Sequence, residues 1–345
     1  MNKTILAVDI GFGNTKLVYG HDGEQWSELC FKSVAPQVMA HSAGLAGSLS
    51  PALDRIAIEV GPSSFLVGPD AYISGGDAIL STDYVLRNEY LALLRGAIYY
   101  AFKKSGGMPR HIDVLVLGLP VANWRLRQAE LIRIGGGAHR IPVPLAMRAE
   151  FGVSVEVTMG KVIVLPQPMG ALQLALNQSP GAASSVDESI HMMIDPGFNT
   201  FDWFTSVGLR PDLQRSGSLQ GGVSQLLKLV SNAAGAKLGV GSLNLNEVEK
   251  GLSKGVMNVF GKRLDMGEFQ PMMQNAAQEI VERFLNSINL RLGIDTIHLT
   301  GGGAPYYITP LRNAFSGYDI RLEEASVMAN ARGFYLVGEA VALMM

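Results

Sequence analysis

The chain opens with two short apolar runs that have the character of β-strands. ILAVDI at 5–10 and TKLVYG at 15–20 are rich in apolar and β-branched residues, and the tetrapeptide GFGN at 11–14 separates them. Glycine and asparagine favour the tight turns that join antiparallel strands. The pattern therefore predicts a β-hairpin at the start of the fold.

The rest of the chain alternates between extended and helical patterns. Apolar residues at helical spacing predict helices near 83–104, 123–134, 169–177, 221–235, 246–253, 269–292, 304–315 and from 326 onward. Short apolar runs predict strands near 25–34, 55–60, 64–67, 111–120, 151–157, 161–165, 296–300 and 318–322. The glycine-rich segment 135–144 is predicted to be a loop.

The opening pattern recurs in the second half of the chain. After a small, polar segment at 177–189, which is predicted to be a linker, HMMID at 191–195 and TFDWFTS at 200–206 again read as two strands around a glycine turn. Asp9-Ile-Gly11 is matched by Asp195-Pro-Gly197. The sequence thus predicts two related α/β halves.

Composition limits the class of protein. Of 345 residues, 48% are hydrophobic and 17% are charged, and 28 basic against 30 acidic residues give a formal charge of −2. These values exclude a disordered chain and a polycation, so direct binding to nucleic acid is not expected. The single cysteine, Cys30, can form no internal disulfide and no Cys/His metal motif, which predicts a reducing, cytoplasmic location.

No export signal or membrane span is expected. Only five residues, 4–8, lie between Lys3 and Asp9, which is too short an apolar region for a secretory signal. The most apolar stretches, such as 112–122 and 340–345, fall below the roughly 18 residues that a membrane-spanning helix needs. No membrane partner is therefore predicted.

The repeated turn suggests a phosphate site. Successive N–H groups in a glycine-rich turn can converge on an anion, and two such turns could bind one polyphosphate. Asp9 and Asp195 would bring carboxylates close to those phosphates, which implies a divalent cation such as Mg²⁺. Lys16 could reach a β or γ oxygen. A single D-x-G is explained by turn formation alone, but two copies in matching contexts favour the phosphate interpretation.

Three segments resemble a known superfamily. AVDIGFGNTKLVYG at 7–20 resembles the first phosphate loop of the actin superfamily, DPGFNTFDW at 195–203 resembles the second, and HLTGGGAPYY at 298–307 resembles its adenosine loop. The form D-I-G-F-G-N-T-K and the stretch RSGSLQGGVSQLL at 215–227 are similar to plasmid-segregation actins of the ParM/StbA type.

The resemblance implies a fold and its division into domains. It implies an actin-like, ribonuclease H-like α/β fold, duplicated into two domains with a central nucleotide cleft. Domain I would comprise 1–166 plus 328–345, and domain II would comprise 167–327.

The resemblance also implies a role for each matching residue. Gln167, Asp195 and Asp9 would be catalytic, with Gln167 orienting the attacking water. Asp9 and Asp195 would hold Mg²⁺, largely through water. The nucleotide-binding residues would be Gly11, Gly13, Asn14, Lys16, Gly197, Asn199, Thr200, Gly221, Gly222, Gly301, Gly302 and Gly303.

Several positions keep two interpretations. Gln167 could simply be a polar residue between two prolines, and Asp202 could lie either near the cation or on a solvated strand face. Gly221 and Gly222 suit either ligand approach or a helix N-cap. Glu247 and Lys250 could flank the nucleoside, although a solvated i,i+3 pair is the simpler interpretation.

Two residues depart from the family pattern in the second loop. Pro196 and Phe198 replace smaller residues, so this loop lacks one N–H donor and carries added bulk.

The predicted function is that of an actin-like ATPase. Such a protein would bind and hydrolyse ATP with Mg²⁺, or alternatively GTP, and would assemble into filaments for plasmid DNA segregation through a DNA-bound adaptor protein. A small-metabolite kinase is an alternative, although 111–120 offers no convincing carboxylate base. A non-polymerising ATP-binding scaffold is another. Filament contacts need a heterologous surface, and the candidates are 34–49, 135–144 and 340–345.

Overall fold

The computed structural model describes residues 3–38, 53–75, 83–178, 188–288, 293–323 and 326–345. The chain forms two compact units, one of Met1–Ala182 with Met328–Met345 and one of Ala183–Val327. The predicted domain boundary followed residue 166, whereas the helix Gln167–Asn177 belongs to the first unit in the structure. Most of the predicted linker, 179–187, lies outside the described residues.

The first unit contains nine strands and five α-helices among its described residues. The strands are β1 (Ile5–Ile10), β2 (Asn14–His21), β3 (Trp26–Lys32), β4 (Gln37–Val38), β5 (Ile56–Val60), β6 (Ser63–Val67), β7 (His111–Leu119), β8 (His139–Pro142) and β9 (Ser154–Pro166). The helices are α1 (Asn88–Ser105), α2 (Val121–Gly135), α3 (Arg148–Phe151), α4 (Gln167–Asn177) and, from the end of the chain, α9 (Ala329–Leu343).

A six-stranded sheet with the order β3-β2-β1-β7-β9-β8 forms the centre of this unit. β1 pairs antiparallel with β2 and parallel with β7, which in turn pairs parallel with β9. β1 and β7 are almost completely buried, as expected for apolar strands covered on both faces. A smaller sheet, β4-β6-β5, completes the unit.

The helices α4 and α9 pack against each other with their backbones in close contact. A Cβ on Gly333 would lie 1.7 Å from the carbonyl oxygen of Gly170, so only glycine fits at this crossing. The same α9 covers the central sheet, with Phe334 and Tyr335 packed against Ala7, Val18 and their neighbours. This contact fixes α4, and therefore its first residue, to the first unit.

The second unit repeats the arrangement of the first. Its strands are β10 (Ile190–Pro196), β11 (Thr200–Val207), β12 (Arg210–Gln220), β13 (Val256–Val259), β14 (Lys262–Asp265), β15 (Thr296–Leu299) and β16 (Ile320–Leu322). Its helices are α5 (Val223–Leu238), α6 (Leu245–Lys254), α7 (Gln270–Ser287) and α8 (Ala304–Ala314).

The five-stranded sheet of the second unit has the order β12-β11-β10-β15-β16. Two antiparallel pairs are followed by two parallel pairs, the same sequence of pairings as β3-β2-β1-β7-β9. Each sheet also has an irregularity in the pairing of its second and third strands, near Val18 in one and Trp203 in the other. The predicted duplication is therefore present in the topology itself.

Most predicted elements are found, and the differences have local causes. The predicted loop 135–144 contains the short edge strand β8, which is hidden in the sequence by flanking glycines and prolines. The two strands predicted at 151–157 and 161–165 form one strand, β9, in which Gly160 allows close approach to β7: a Cβ there would lie 2.6 Å from the carbonyl oxygen of Asp113.

Two features of the second unit were not predicted. β12 is largely polar and half-buried, so it has no apolar alternation to indicate a strand. The β13–β14 hairpin is made of two strands of four residues each, VMNV and KRLD, and the mixed apolar and polar residues of these short segments give no clear strand pattern.

Candidate functional site

The turn between β1 and β2 is closed by its own backbone. The N–H of Gly11 donates to the carbonyl oxygen of Asn14 at 3.0 Å. Phe12, the residue after the glycine, is buried with its ring 4.7 Å from that of Tyr84, and the Tyr84 hydroxyl donates to the carbonyl oxygen of Ile10 at 3.1 Å. The turn therefore has a rigid, hydrophobic support beneath it.

The carboxylate of Asp9 is completely buried at the end of β1 and accepts bonds on both oxygens. Lys16 is its direct cross-strand partner, and Lys16 Nζ donates to Asp9 Oδ2 at 2.6 Å. Gln167 Nε2 donates to Asp9 Oδ1 at 2.6 Å. A hydrogen-bonded ion pair of this kind satisfies a buried charge that would otherwise be costly.

The orientation of the Gln167 amide follows from its partner. A carboxylate oxygen only accepts, so the amide atom that lies against it must be the NH₂ group, which leaves Oε1 as an acceptor for another donor. Gln167 is the first residue of α4 and follows directly on β9. Behind it, a Cβ on Gly118 would lie 3.1 Å from Gln167 Cγ and 2.6 Å from the ring of Phe334.

The second turn has the same closure as the first. The N–H of Gly197 donates to the carbonyl oxygen of Thr200 at 2.8 Å, which repeats the bond from Gly11 to Asn14. Phe198, which the sequence suggested as added bulk in this loop, packs against the core of the second unit as Phe12 packs in the first. The bulk is therefore accommodated by the core.

The electrostatics of the second hairpin differ from those of the first. The direct cross-strand partner of Asp195 is Asp202, and both carboxyl groups are buried. Burial, reinforced by the charge of Asp195, raises the pKa of Asp202 to about 7, although Thr200 Oγ1 donates to Asp202 Oδ2 at 2.7 Å. The interpretation of Asp202 as a residue on a solvated strand face is wrong.

Two of the three glycines at 301–303 have a packing role against the second turn. A Cβ on Gly301, whose φ is +82°, would lie 2.0 Å from Asp195 Oδ1, and one on Gly303 would lie 2.4 Å from the carbonyl oxygen of Pro196. That same carbonyl accepts from the N–H of Gly303 at 2.9 Å. A Cβ on Gly302 would meet no atom within 4 Å, so this glycine alone faces open space.

Gly221 and Gly222 are also explained by packing. The N–H groups of Gly222, Val223 and Ser224 donate to the carbonyl oxygens of residues 199, 197 and 198 at 2.7–3.1 Å. The N-terminal amides of α5 therefore bind the second turn. A Cβ on Gly222 would overlap the backbone of Phe198, and one on Gly221 would press on Ile280. Nucleotide binding by these two glycines stays a prediction.

Some residues near the first turn were not indicated by the sequence. Tyr90 is fully buried, and burial together with the charge of Asp9 raises the pKa of its hydroxyl. Gly118 and Phe334 shape the space around Gln167 from β7 and α9. They lie far from the turn along the chain and share no motif with it, so single-sequence reasoning offered no signal for them.

Glu247 and Lys250 form the expected i,i+3 ion pair on an exposed helix surface, with Lys250 Nζ 3.3 Å from Glu247 Oε1.

Within the described ranges, no group of three or more His, Cys, Asp or Glu side chains is arranged to hold a metal ion. Across the same part of the chain, every helix is too short or too polar to span a bilayer.

Two family models match the chain. The model described as "Actin like proteins N terminal domain" matches residues 7–170, and the model described as "Archaeal actin homologue MreB-like, C-terminal" matches residues 193–311. A search of curated proteins finds no match.

Solved structures of actin homologues share the fold over the whole chain. The archaeal actin homologue Ta0583 in complex with ADP has a TM-score of 0.74 and 18% identity, covering 98% of this chain and 99% of that one. Apo ParM of pSK41 has a TM-score of 0.69 and 20% identity, covering 100% and 99%. A 15-stranded ParM filament from Clostridium botulinum has a TM-score of 0.73 and 17% identity, covering 99% and 100%.

Two sheets of the same topology, each opening with a hairpin whose first strand ends in a buried aspartate, define an actin-like two-domain α/β protein. The two family models together span most of the chain, which is therefore a member of the actin-like proteins.

Proposed function

We propose that this chain is an ATPase that binds ATP with Mg²⁺, hydrolyses it and assembles into filaments. The observation that carries the proposal is the arrangement of Lys16 and Gln167 around the buried Asp9. The backbone of this hairpin, though not these side-chain bonds, recurs at Asp195. The complex of Ta0583 with ADP and the ParM filament support nucleotide binding and self-association in relatives of the same fold.

The carboxyl groups fit a hydrated cation. Both oxygens of Asp9 already accept from side chains, so a Mg²⁺ ion there would be held through its own water molecules. Asp195 lies opposite a second buried carboxyl, Asp202, and two carboxyl groups in register favour a neighbouring cation. When bound, Mg²⁺ would neutralise charge that develops on the phosphates.

Side chains of the first hairpin and of α4 would position the water and the phosphates. Gln167 Nε2 is held by Asp9, so its Oε1 would accept a hydrogen from the attacking water and fix that water's direction. An amide is not basic enough to remove the proton, which makes Gln167 a positioning group for water. Lys16 would exchange part of its contact with Asp9 for a phosphate oxygen. The turn amides and Gly302 would approach the nucleotide closely.

The finer functional predictions follow from the same class. We propose cytoplasmic filaments that segregate plasmid DNA through a separate DNA-bound adaptor, because a formal charge of −2 offers no bulk attraction for DNA. Of the predicted filament contacts, most of 34–49 lies outside the described residues. Segment 135–144 contains β8, and 340–345 includes the exposed Leu343 and Met344.

The test compares nucleotide binding, phosphate release and assembly in one preparation. Purified protein with ATP, GTP, ADP or no nucleotide is examined by calorimetry, phosphate assay, light scattering and electron microscopy. We expect filaments and phosphate release with the triphosphate, and loss of both in Asp195→Ala. The matched control is Asp319→Ala, an exposed carboxylate in the same unit.

Three results would contradict the proposal. Binding of ATP without turnover or assembly would identify a scaffold. Transfer of phosphate to a small metabolite without filaments would identify a kinase, although the carboxylate on β7, Asp113, accepts from Thr4 N at 2.8 Å, far along the strand from Gly118. Failure to bind any nucleotide would remove the whole class.

A further inference from the structure

The hairpin of β13 and β14 ends in an unusual residue. Val259 pairs with Lys262, so the loop consists of Phe260 and Gly261 alone. Their φ angles are +49° and +73°, which is the conformation of a type I′ turn. Within the ranges that the structure describes, Phe260 is the one residue other than glycine with a positive φ.

Folding alone does not account for phenylalanine at this position. Type I′ turns favour Asn-Gly or Gly-Gly, and a bulky side chain at positive φ is strained. The Phe260 side chain is 76% exposed, so it gains little from packing in the free chain. A strained and exposed aromatic residue points to a role in binding.

The hairpin presents this residue on a firm base. Met257 and Leu264 are buried in the core of the second unit, and the N–H of Met266 donates to the carbonyl oxygen of Gly255 at 3.0 Å. The two strands form a separate sheet, apart from the five-stranded sheet. The base of the hairpin is thus anchored in the core, while the residues at its tip are exposed to solvent.

The residues beside the tip are cationic. Lys262 and Arg263 follow the turn directly and are exposed, as is Asn258 across the hairpin from Arg263. The chain as a whole carries a formal charge of −2, so a basic tip is complementary in sign to the average surface of another copy. An apolar side chain with flanking cations is complementary to an apolar depression that is bordered by acidic residues on the partner surface.

We propose that Phe260 is a contact by which one copy of this chain binds the next during assembly. The inference rests on the proposed self-association. A filament needs a heterologous contact, in which a projection on one copy binds a different surface on its neighbour, and a rigid apolar tip supplies such a projection. Aromatic residues provide a large share of the binding energy at protein interfaces.

The decisive variant is Phe260→Asn, because it improves the turn while removing the contact. Asn-Gly is the preferred type I′ sequence, so the variant keeps or raises the midpoint of thermal unfolding. We expect unchanged ATP binding and a critical concentration for assembly that rises by about tenfold or more. A purely structural role predicts a change in unfolding with no change in assembly.

The matched control is Leu126→Gln. Leu126 is 78% exposed on α2, in the other unit, and has ordinary helical geometry. This substitution removes a similar exposed apolar side chain, so it tests whether any loss of surface hydrophobicity weakens assembly. We expect a critical concentration equal to that of the wild type.

Photo-crosslinking separates failure of this inference from failure of the proposed function. With benzoylphenylalanine in place of Phe260, we expect adducts between two copies of the chain, located by mass spectrometry. Wild-type protein that forms no polymer in any nucleotide state would overturn the proposed function. Absence of adducts between copies, or a Phe260→Asn protein that assembles at the wild-type critical concentration, would overturn the role of Phe260.

Discussion

Asp202 occupies in the second hairpin the position that Lys16 occupies in the first. Each is the direct cross-strand partner of the aspartate that ends the preceding strand, Asp195 or Asp9. The two backbones are alike, yet one hairpin joins a carboxylate to an ammonium and the other sets two carboxyl groups opposite each other. The duplicated framework therefore carries a carboxylate–ammonium ion pair in one hairpin and two facing carboxyl groups in the other.

The ion pair of the first hairpin is expected to carry measurable stability. In Lys16→Met the buried carboxylate of Asp9 loses its cation and keeps only the bond from Gln167. Removing one partner of a buried pair costs about 3 kcal/mol of unfolding free energy. Urea denaturation of the protein without nucleotide measures this cost.

The control for Lys16 is a lysine with an exposed ion pair. Lys3 lies 3.3 Å from Asp113 at the surface, so Lys3→Met should lower the unfolding free energy by less than about 1 kcal/mol. In the double variant Asp9→Asn/Lys16→Met, the loss should be smaller than the sum of the two single losses. Equal losses for Lys16→Met and Lys3→Met would contradict a stabilising role for the pair.

The sequence was sufficient to predict the two hairpins and their relation. Each combines an apolar run that ends in aspartate with a glycine turn, and these signals are local, so they predict local structure reliably. This pattern singles out Asp9 and Asp195, and both are buried at strand ends. The fold of both halves was implied by the resemblance of the three loop segments to the actin superfamily.

The contacts that define the site could not be predicted from the sequence. Gln167 is 158 positions from Asp9 in the chain, and nothing in either segment specifies a 2.6 Å bond between them. The roles of Gly301 and Gly303 were also out of reach, because a glycine required by a neighbouring backbone has the same letter as one required by a ligand. Both are decided by tertiary packing.

The position of Gln167 should depend on the absence of a side chain at residue 118. In Gly118→Ala, the new Cβ would lie 2.6 Å from the ring of Phe334 and 3.1 Å from Gln167 Cγ, so one of the two must move. If Gln167 orients the attacking water, as we propose, moving its amide by about 1 Å is costly. We then expect ATP hydrolysis to fall tenfold to about a hundredfold, with ATP affinity unchanged.

A glycine with free space around it provides the comparison for Gly118. A Cβ on Gly107 would meet no atom within 4 Å, so Gly107→Ala should hydrolyse ATP at the wild-type rate. Phosphate release under saturating ATP is the measurement. If Gly118→Ala loses ATP binding to the same degree as hydrolysis, its effect is a general distortion and the specific dependence of Gln167 on this space is wrong.

Acid should destabilise the protein through a buried histidine. His139 Nε2 donates to the carbonyl oxygen of Gly135 at 3.0 Å, yet burial holds the pKa of His139 below its ordinary value of 6.5, and Arg95 lowers it further. Just below pH 6.5, His139 is therefore protonated in the unfolded chain but still neutral in the folded chain. This contribution to stability is complete above about pH 6.5 and is lost as the pH falls below it.

The expected size of this pH effect is set by one proton. Between about pH 6.5 and the lower pKa of the folded state, His139 should contribute a slope of up to about 1.4 kcal/mol per pH unit in unfolding free energy. In His139→Gln the slope should become shallower, while His111→Gln, at an exposed histidine that contacts Thr158, should retain it. Urea titrations at a series of pH values test this, and parallel slopes for wild type and His139→Gln would contradict it.

Neighbouring glycines in the segment 301–303 should respond differently to the same substitution. In Gly303→Ala the new Cβ would lie 2.4 Å from the carbonyl oxygen of Pro196 and would press on the Asp195 turn, so the unfolding free energy should fall by about 1–3 kcal/mol.

In Gly302→Ala the Cβ meets open space, and stability should stay within about 0.5 kcal/mol of the wild type. If Gly302 faces the nucleotide, this second variant should instead bind ATP more weakly, because the methyl group blocks close approach of the backbone. Thermal unfolding and calorimetric titration of both variants measure the two effects separately. Loss of stability in Gly302→Ala, or wild-type ATP affinity in that variant, would show that the segment has a packing role alone.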